Sequence, residues 1–158
     1  MVFQEITFER GYEIGLTPTE IATSWSHLER QVNFGFTSVQ TWDYNCVMWS
    51  LNIDDDWKDF FYTEDGYVSP DQSINPYINF FKESGFQICE NGELESGQTK
   101  ICIYSKNGIF SHVSRLMENG RWASKMGNYE DIEHLSEFDV SGIGYGNPET
   151  YMKKAIAI

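Results

Sequence analysis

Cys46 stands where a polar loop, Gln40-Thr41-Trp42-Asp43-Tyr44-Asn45, gives way to an apolar run, Val47-Met48-Trp49-Ser50-Leu51. A thiol in the first turn of a helix meets unpaired backbone N–H groups and the positive end of the helix dipole, and both favour the thiolate. A second reactive group lies far downstream, where His112 interrupts the strand-like run Gly108-Ile109-Phe110-Ser111-His112-Val113-Ser114-Arg115. A cysteine early and a histidine later is the pattern of nucleophilic acyl chemistry. The imidazole takes the thiol proton, the sulfur attacks a carbonyl, and the tetrahedral oxyanion forms beside the Cys46 backbone N–H. This chemistry requires no metal and no organic cofactor.

The imidazole needs a third group to orient it. With a turn centred on Glu118-Asn119-Gly120, the hairpin partner of His112 falls near Ser124 to Met126. Ser124 is the conventional polar choice, whereas Lys125 suits contact with a substrate carboxylate or an oxyanion. Asp131 and His134, on the following turn, are further candidates, Asp131 being the better electrostatic partner. Each residue also has a plain structural reading. Cys46 would be buried filler, His112 a satisfied core histidine, Gln40 a loop cap and Trp122 core.

The positioning elements come in a clear order. Thr17-Pro18-Thr19-Glu20 is a helix start, and Ile21, Trp25, Leu28 and Val32 line one face as far as Asn33 to Gly35. After the Cys46 helix comes an acidic cluster, Asp54-Asp55-Asp56, that lacks the glycine and distal glutamate of a calcium loop and reads as a solvated turn. Ile74, Tyr77, Ile78 and Phe81 fit an amphipathic helix ended by Gly85. Phe86 to Cys89 reads as a strand, and Lys100 to Tyr104, Gly108 to Val113 and Arg121 to Lys125 read as an antiparallel meander. A helical turn around Ile132, a glycine-rich loop at 141–147 and a short helix from Pro148 complete the expected order.

The 158 residues fit one domain, and 41% hydrophobic and 16% aromatic content supplies a core without staples. A net charge of −13 repels phosphate backbones and anionic lipid, which argues against nucleic acid and membrane surfaces and for a basic or neutral partner. Three cysteines, Cys46, Cys89 and Cys102, without any C-x-x-C pair disfavour both a disulfide framework and a zinc site. No apolar run approaches the roughly 20 residues of a spanning helix, and the amino end has no positive flank. The expectation is a cytoplasmic protein, or one delivered by a specialised secretion route, of open oligomeric state.

Helices first, with a cysteine at a helix start, then an antiparallel sheet carrying a histidine: this order resembles the papain-like cysteine hydrolases. That resemblance implies an oxyanion-hole glutamine six positions before the nucleophile, where Gln40 stands, and an aromatic soon after it, where Trp49 stands. The Gly-Ser before cysteine and the Asn-Ser-Trp after histidine of papain itself are absent. The pattern Asn45-Cys46, Trp49, His112, Arg115, Gly120, Trp122, Ser124-Lys125, Gly127, Ile132, His134 and Tyr145-Gly146 also resembles an uncharacterised bacterial domain family associated with that fold. The resulting expectation is one α+β papain-like domain over 1–158. It comprises an N-terminal arm and helix (1–35), the nucleophile helix and an aromatic segment (36–85), a small antiparallel sheet (86–127) and a C-terminal turn and helix (128–158). The expected activity is that of a cysteine-dependent amide hydrolase or acyl transferase acting on a protein or peptide. Cys46, His112, Ser124 and Asp131 are its catalytic candidates, and Gln40, Asn45, Trp49, Lys125 and His134 its oxyanion and substrate contacts. The rival expectation is a non-catalytic acidic module, of immunity or anti-defence type, that sequesters a basic protein.

Overall fold

β3 (Gln98–Lys106) carries Ile101, Cys102, Ile103 and Tyr104 in succession, and none of them is exposed. Successive side chains of a strand face opposite ways, so four buried neighbours require cover on both sides of the sheet. The computed structural model, which describes residues 3–156, supplies both layers.

β3 belongs to a seven-stranded antiparallel sheet in the order β1-β6-β5-β4-β3-β7-β2. Its other strands are β1 (Phe34–Phe36), β2 (Gln87–Cys89), β4 (Ile109–Leu116), β5 (Trp122–Lys125), β6 (Asp131–His134) and β7 (Asn147–Ala155). Ile101, Ile103, Val113 and Met152 face α2 (Cys46–Ser50) and α3 (Asn75–Glu83), packing on Val47, Tyr77 and Phe81. Cys102, Tyr104, Trp122 and Ile132 face the other way, with Phe36 of β1, onto Leu16 of the arm and Trp25 and Leu28 just after α1 (Pro18–Ser24). Glu130, fully buried, ties the arm down by accepting the backbone N–H groups of Gly15 and Leu16, both at 2.9 Å.

The meander and the helix over Asn75–Glu83 match the expectation from sequence, but three elements differ from it. α1 stops at Ser24 instead of continuing to Val32. The Ser24 carbonyl, which helix continuation would use, accepts the N–H of Gly144 at 2.9 Å. A Cβ at Gly144 would lie 2.9 Å from that carbonyl and from the Trp25 ring, so only glycine permits the approach. Residues expected as a helical turn around Ile132 form β6, because Ser124↔Ile132 and Lys125↔Asp131 extend the sheet. The expected C-terminal helix is β7, which runs between β2 and β3 with Met152 fully buried. Non-local pairing overrides a weak local preference there. The sheet is accordingly larger than 86–127. It extends from β1 to β7, and the first two and last two residues of the expected 1–158 domain lie outside the described residues. Among the described residues no helix is long and apolar enough to cross a membrane.

Ile103→Ala removes packing from the most buried strand on the α2 and α3 side. A loss of about 2–5 kcal/mol is expected, read as a lower urea midpoint with unchanged slope.

Candidate active site

Asn45 builds the head of α2. Its carboxamide oxygen accepts the Met48 N–H at 3.2 Å as the N-cap, while its Nδ2 donates to the Lys58 carbonyl at 2.6 Å. One buried side chain thus starts the helix and ties the 52–58 loop to it. Cys46 follows as the first helical residue, partly buried. Burial pushes the thiol up to about 11, against the pull of the nearby backbone N–H groups of Val113, Val47 and Cys46 itself, which favour the thiolate.

The Val113 amide is available because the sheet opens there. β4 and β5 are paired only at Arg115↔Ala123 and Leu116↔Trp122, so Val113 has no partner on β5. α2 packs against both strands at this divergence.

His112, one residue before that amide, faces the opposite side of the sheet. Its ring stacks on Tyr145 with centroids 4.0 Å apart and planes within 3°. Nε2 lies 2.9 Å from the Ser124 hydroxyl. Ser124 is also 2.7 Å from His134 Nε2 and 2.8 Å from the Ser114 hydroxyl. His112 Nδ1 is buried and has no hydrogen-bond partner. Burial and the neighbouring His134 hold the His112 ring well below its ordinary pKa, and burial lowers His134 to about 4. Among the described residues no hydrogen bond joins Cys46 to His112. The resting site therefore holds a neutral thiol and a neutral imidazole in place of an ion pair.

The structure joins His112, Ser124 and His134, and it assigns the other candidates elsewhere. Asp131 projects to the α2 side with Lys125, its cross-strand partner, and accepts a short hydrogen bond from Tyr44. It does not orient His112. Burial raises the Asp131 carboxyl above the usual carboxylate range, and its Oδ1 has no hydrogen-bond partner. Lys125, without exposed surface, gives its ammonium to the carbonyls of Thr41 (3.0 Å), Gly127 (2.9 Å) and Tyr129 (2.5 Å). All three N–H bonds are committed, which leaves none for a substrate carboxylate or an oxyanion. Burial lowers the Lys125 pKa, against the opposing pull of Asp131. Trp49 lies under the Arg115 guanidinium at 4.7 Å. Gln40 is exposed with its amide against Gly15, and it makes no hydrogen bond to α2 among the described residues.

Two contributors were not singled out as site residues by sequence. Tyr145, which roofs His112, was visible only as an aromatic inside a glycine-rich loop, and the Val113 amide has no side-chain signature. A groove of about 1050 Å³ lies beyond the C-terminal end of α2, lined by Ser50, Leu51, Phe86, Arg115, Leu116 and Ile156 among others. Arg115 spans from this groove to Trp49, but Cys46 does not line it. Beside the head of α2, Trp42 (71% exposed) and Trp57 stand 5.5 Å apart among the exposed Asp43, Asp54, Asp55 and Asp56.

Both buried histidines bind protons less readily folded than unfolded. Their contribution is complete above about pH 6.5 and is lost as pH falls toward the folded values, by up to about 1.4 kcal/mol per pH unit for each ring. Asp131, raised, works in the opposite sense and reduces the slope. Urea midpoints at pH 7.5 and 5.0 test this: the midpoint should be lower at pH 5.0, and equal midpoints would contradict burial of neutral rings.

Comparison with curated proteins and with solved structures gave no match. A family model described as "Domain of unknown function (DUF7689)" matches residues 35–153, a span that runs from β1 into β7 and includes Cys46, His112, Ser124 and His134. On that match the chain belongs to the DUF7689 family.

Proposed function

We propose that the chain is a cysteine-dependent amide hydrolase or acyl transferase with a papain-like arrangement, using Cys46 as nucleophile and His112 as base. One observation carries the reading. The Val113 amide favours the Cys46 thiolate, and the adjacent His112 is anchored through Nε2 while its Nδ1 is buried without a partner. A buried ring nitrogen left unpaired costs free energy unless a further group completes it. On this proposal that group is the Cys46 thiol.

In the reaction, the S–H proton passes to His112 Nδ1 as the sulfur–carbon bond forms, because neither group is charged beforehand. The amides of Cys46 and Val47 at the head of α2 are donors for the oxyanion. The imidazolium returns its proton to the departing amine, leaving a thioester that water or a second amine opens. The exposed indoles of Trp42 and Trp57, set among aspartates, suit a basic peptide side chain by cation–π contact and charge.

A second reading is favoured by a specific fact: burial raises the thiol and lowers the imidazole, which suits an inert core. On this reading the acidic surface binds a basic protein without turnover, and Cys46 is packing.

The deciding experiment treats the protein with p-nitrophenyl acetate and maps the acetyl group by mass spectrometry. Stoichiometric acylation of Cys46, absent in Cys46→Ala and slowed about 10²–10⁴-fold in His112→Ala, is expected for a general base at work. Equal rates in wild type and His112→Ala would remove the catalytic pair and leave the binding module. Iodoacetamide gives a separate check on the thiol. Its reaction with Cys46 should stay slow at pH 7 and climb steeply only above about pH 9, following the raised thiol.

A further inference from the structure

We infer that His134, acting through the single proton of Ser124, is the positioning residue that fixes the tautomer of His112 and leaves its Nδ1 as a lone pair facing no donor. The inference rests on the proposed Cys46–His112 chemistry for its purpose, but not for its geometry.

Proton counting along the buried chain gives the assignment. His134 Nδ1 lies 2.8 Å from the Ser136 carbonyl, which can only accept, so Nδ1 carries the hydrogen. A neutral ring then has a bare Nε2. The contact of 2.7 Å between that nitrogen and the Ser124 hydroxyl must be donated by Ser124. A serine has one proton, and with it committed to His134, Ser124 can only accept from His112 at 2.9 Å. His112 therefore carries its hydrogen on Nε2, and its Nδ1 is the unprotonated nitrogen.

The competing assignment would send the Ser124 proton to Ser114, which bonds onward to the Tyr104 hydroxyl at 3.0 Å. His134 would then have to donate from both nitrogens and become a cation. It has no exposed surface, no carboxylate bonds to it, and burial lowers its affinity for a proton. With both rings neutral, Ser114 donates to Ser124 at 2.8 Å, and the longer approach of Ser114 to Tyr104 at 3.0 Å goes without a proton, the Tyr104 hydroxyl donating to the Glu137 carbonyl at 2.6 Å. Four strands contribute to the arrangement: β3 through Tyr104, β4 through Ser114 and His112, β5 through Ser124 and β6 through His134. The 3₁₀ turn Glu137–Val140 follows directly and supplies the carbonyl that receives Tyr104.

The test reads ring tautomers directly, by long-range ¹⁵N–¹H correlation spectra of the histidines in the intact protein, together with p-nitrophenyl acetate turnover. In wild type, His112 should show its hydrogen on Nε2 and His134 on Nδ1. In His134→Leu the Ser124 proton is released toward His112 Nε2, and the His112 hydrogen should move to Nδ1. Turnover should then fall about 10²-fold in kcat with KM nearly unchanged, the scale of a lost general base. His134→Gln, whose carboxamide oxygen can accept from Ser124, should retain the wild-type tautomer and rate. Ser124→Ala, a smaller change in the core, should abolish the tautomer preference even if His134→Leu does not fold. A wild-type His112 protonated on Nδ1, or an Nε2–H tautomer that survives both His134→Leu and Ser124→Ala, overturns the inference. A tautomer that responds as described in a protein that never acylates Cys46 upholds the positioning and discards the catalytic reading.

Discussion

A lysine ammonium without contact to water holds the neighbourhood of α2 together. Lys125 is charged chemistry placed where charge is expensive, and it is tolerated because three carbonyls surround it, the Tyr44 ring lies 5.3 Å away and Asp131 stands across the strand pair. Those carbonyls come from the loop that leads into Cys46 and from the turn between β5 and β6. Removing the ammonium would leave them unpaired, and the loop carrying Asn45 and Cys46 would lose one of its ties to the sheet, beside the Tyr44–Asp131 bond. Much of what places the thiol at the β4–β5 opening therefore depends on this one residue.

The sheet separates two polar systems of different character. On the α2 side are ionisable groups held by compensation: Lys125, Asp131, Tyr44 and Arg115. On the other side are neutral groups linked by a run of close polar contacts: His134, Ser124, His112, Ser114 and Tyr104. Cys46 belongs to the first side and His112 to the second, and the Val113 amide beside His112 is left open toward the thiol because β5 leaves β4 after two residue pairs. A fully zipped hairpin would have paired the Val113 amide within the sheet and kept the sulfur away from it.

Local patterns carried a good part of this in the sequence. The alternation in β3 and β4 and the Asn-Gly turns exposed the meander, and the hairpin register put the partner of His112 near Ser124 to Met126. The change from polar loop to apolar run at Cys46 marked a helix start, and the structure caps one there with Asn45. What stayed illegible was non-local. Nothing near Asn147 to Ala155 announces a strand whose partners are 42 to 66 residues away, because Pro148, Glu149 and the two lysines read as solvent-facing helix. Asp131 looked like the electrostatic partner of an imidazole, yet strand alternation turns it to the other face. Lys125 looked available for a ligand, and its commitment to three carbonyls is a property of loop geometry that no spacing encodes.

β7 follows every other strand in the chain yet sits inside the sheet, so β2 has no neighbour until β7 has been synthesised. During translation the nascent chain must carry the apolar flank of β3 unprotected while the rest of the meander assembles. Final closure then joins segments far apart in sequence, the kind of step that slows folding. Until that strand inserts, the growing polypeptide displays an open, hydrogen-bond-hungry edge of the type that chaperones shield and that aggregation exploits.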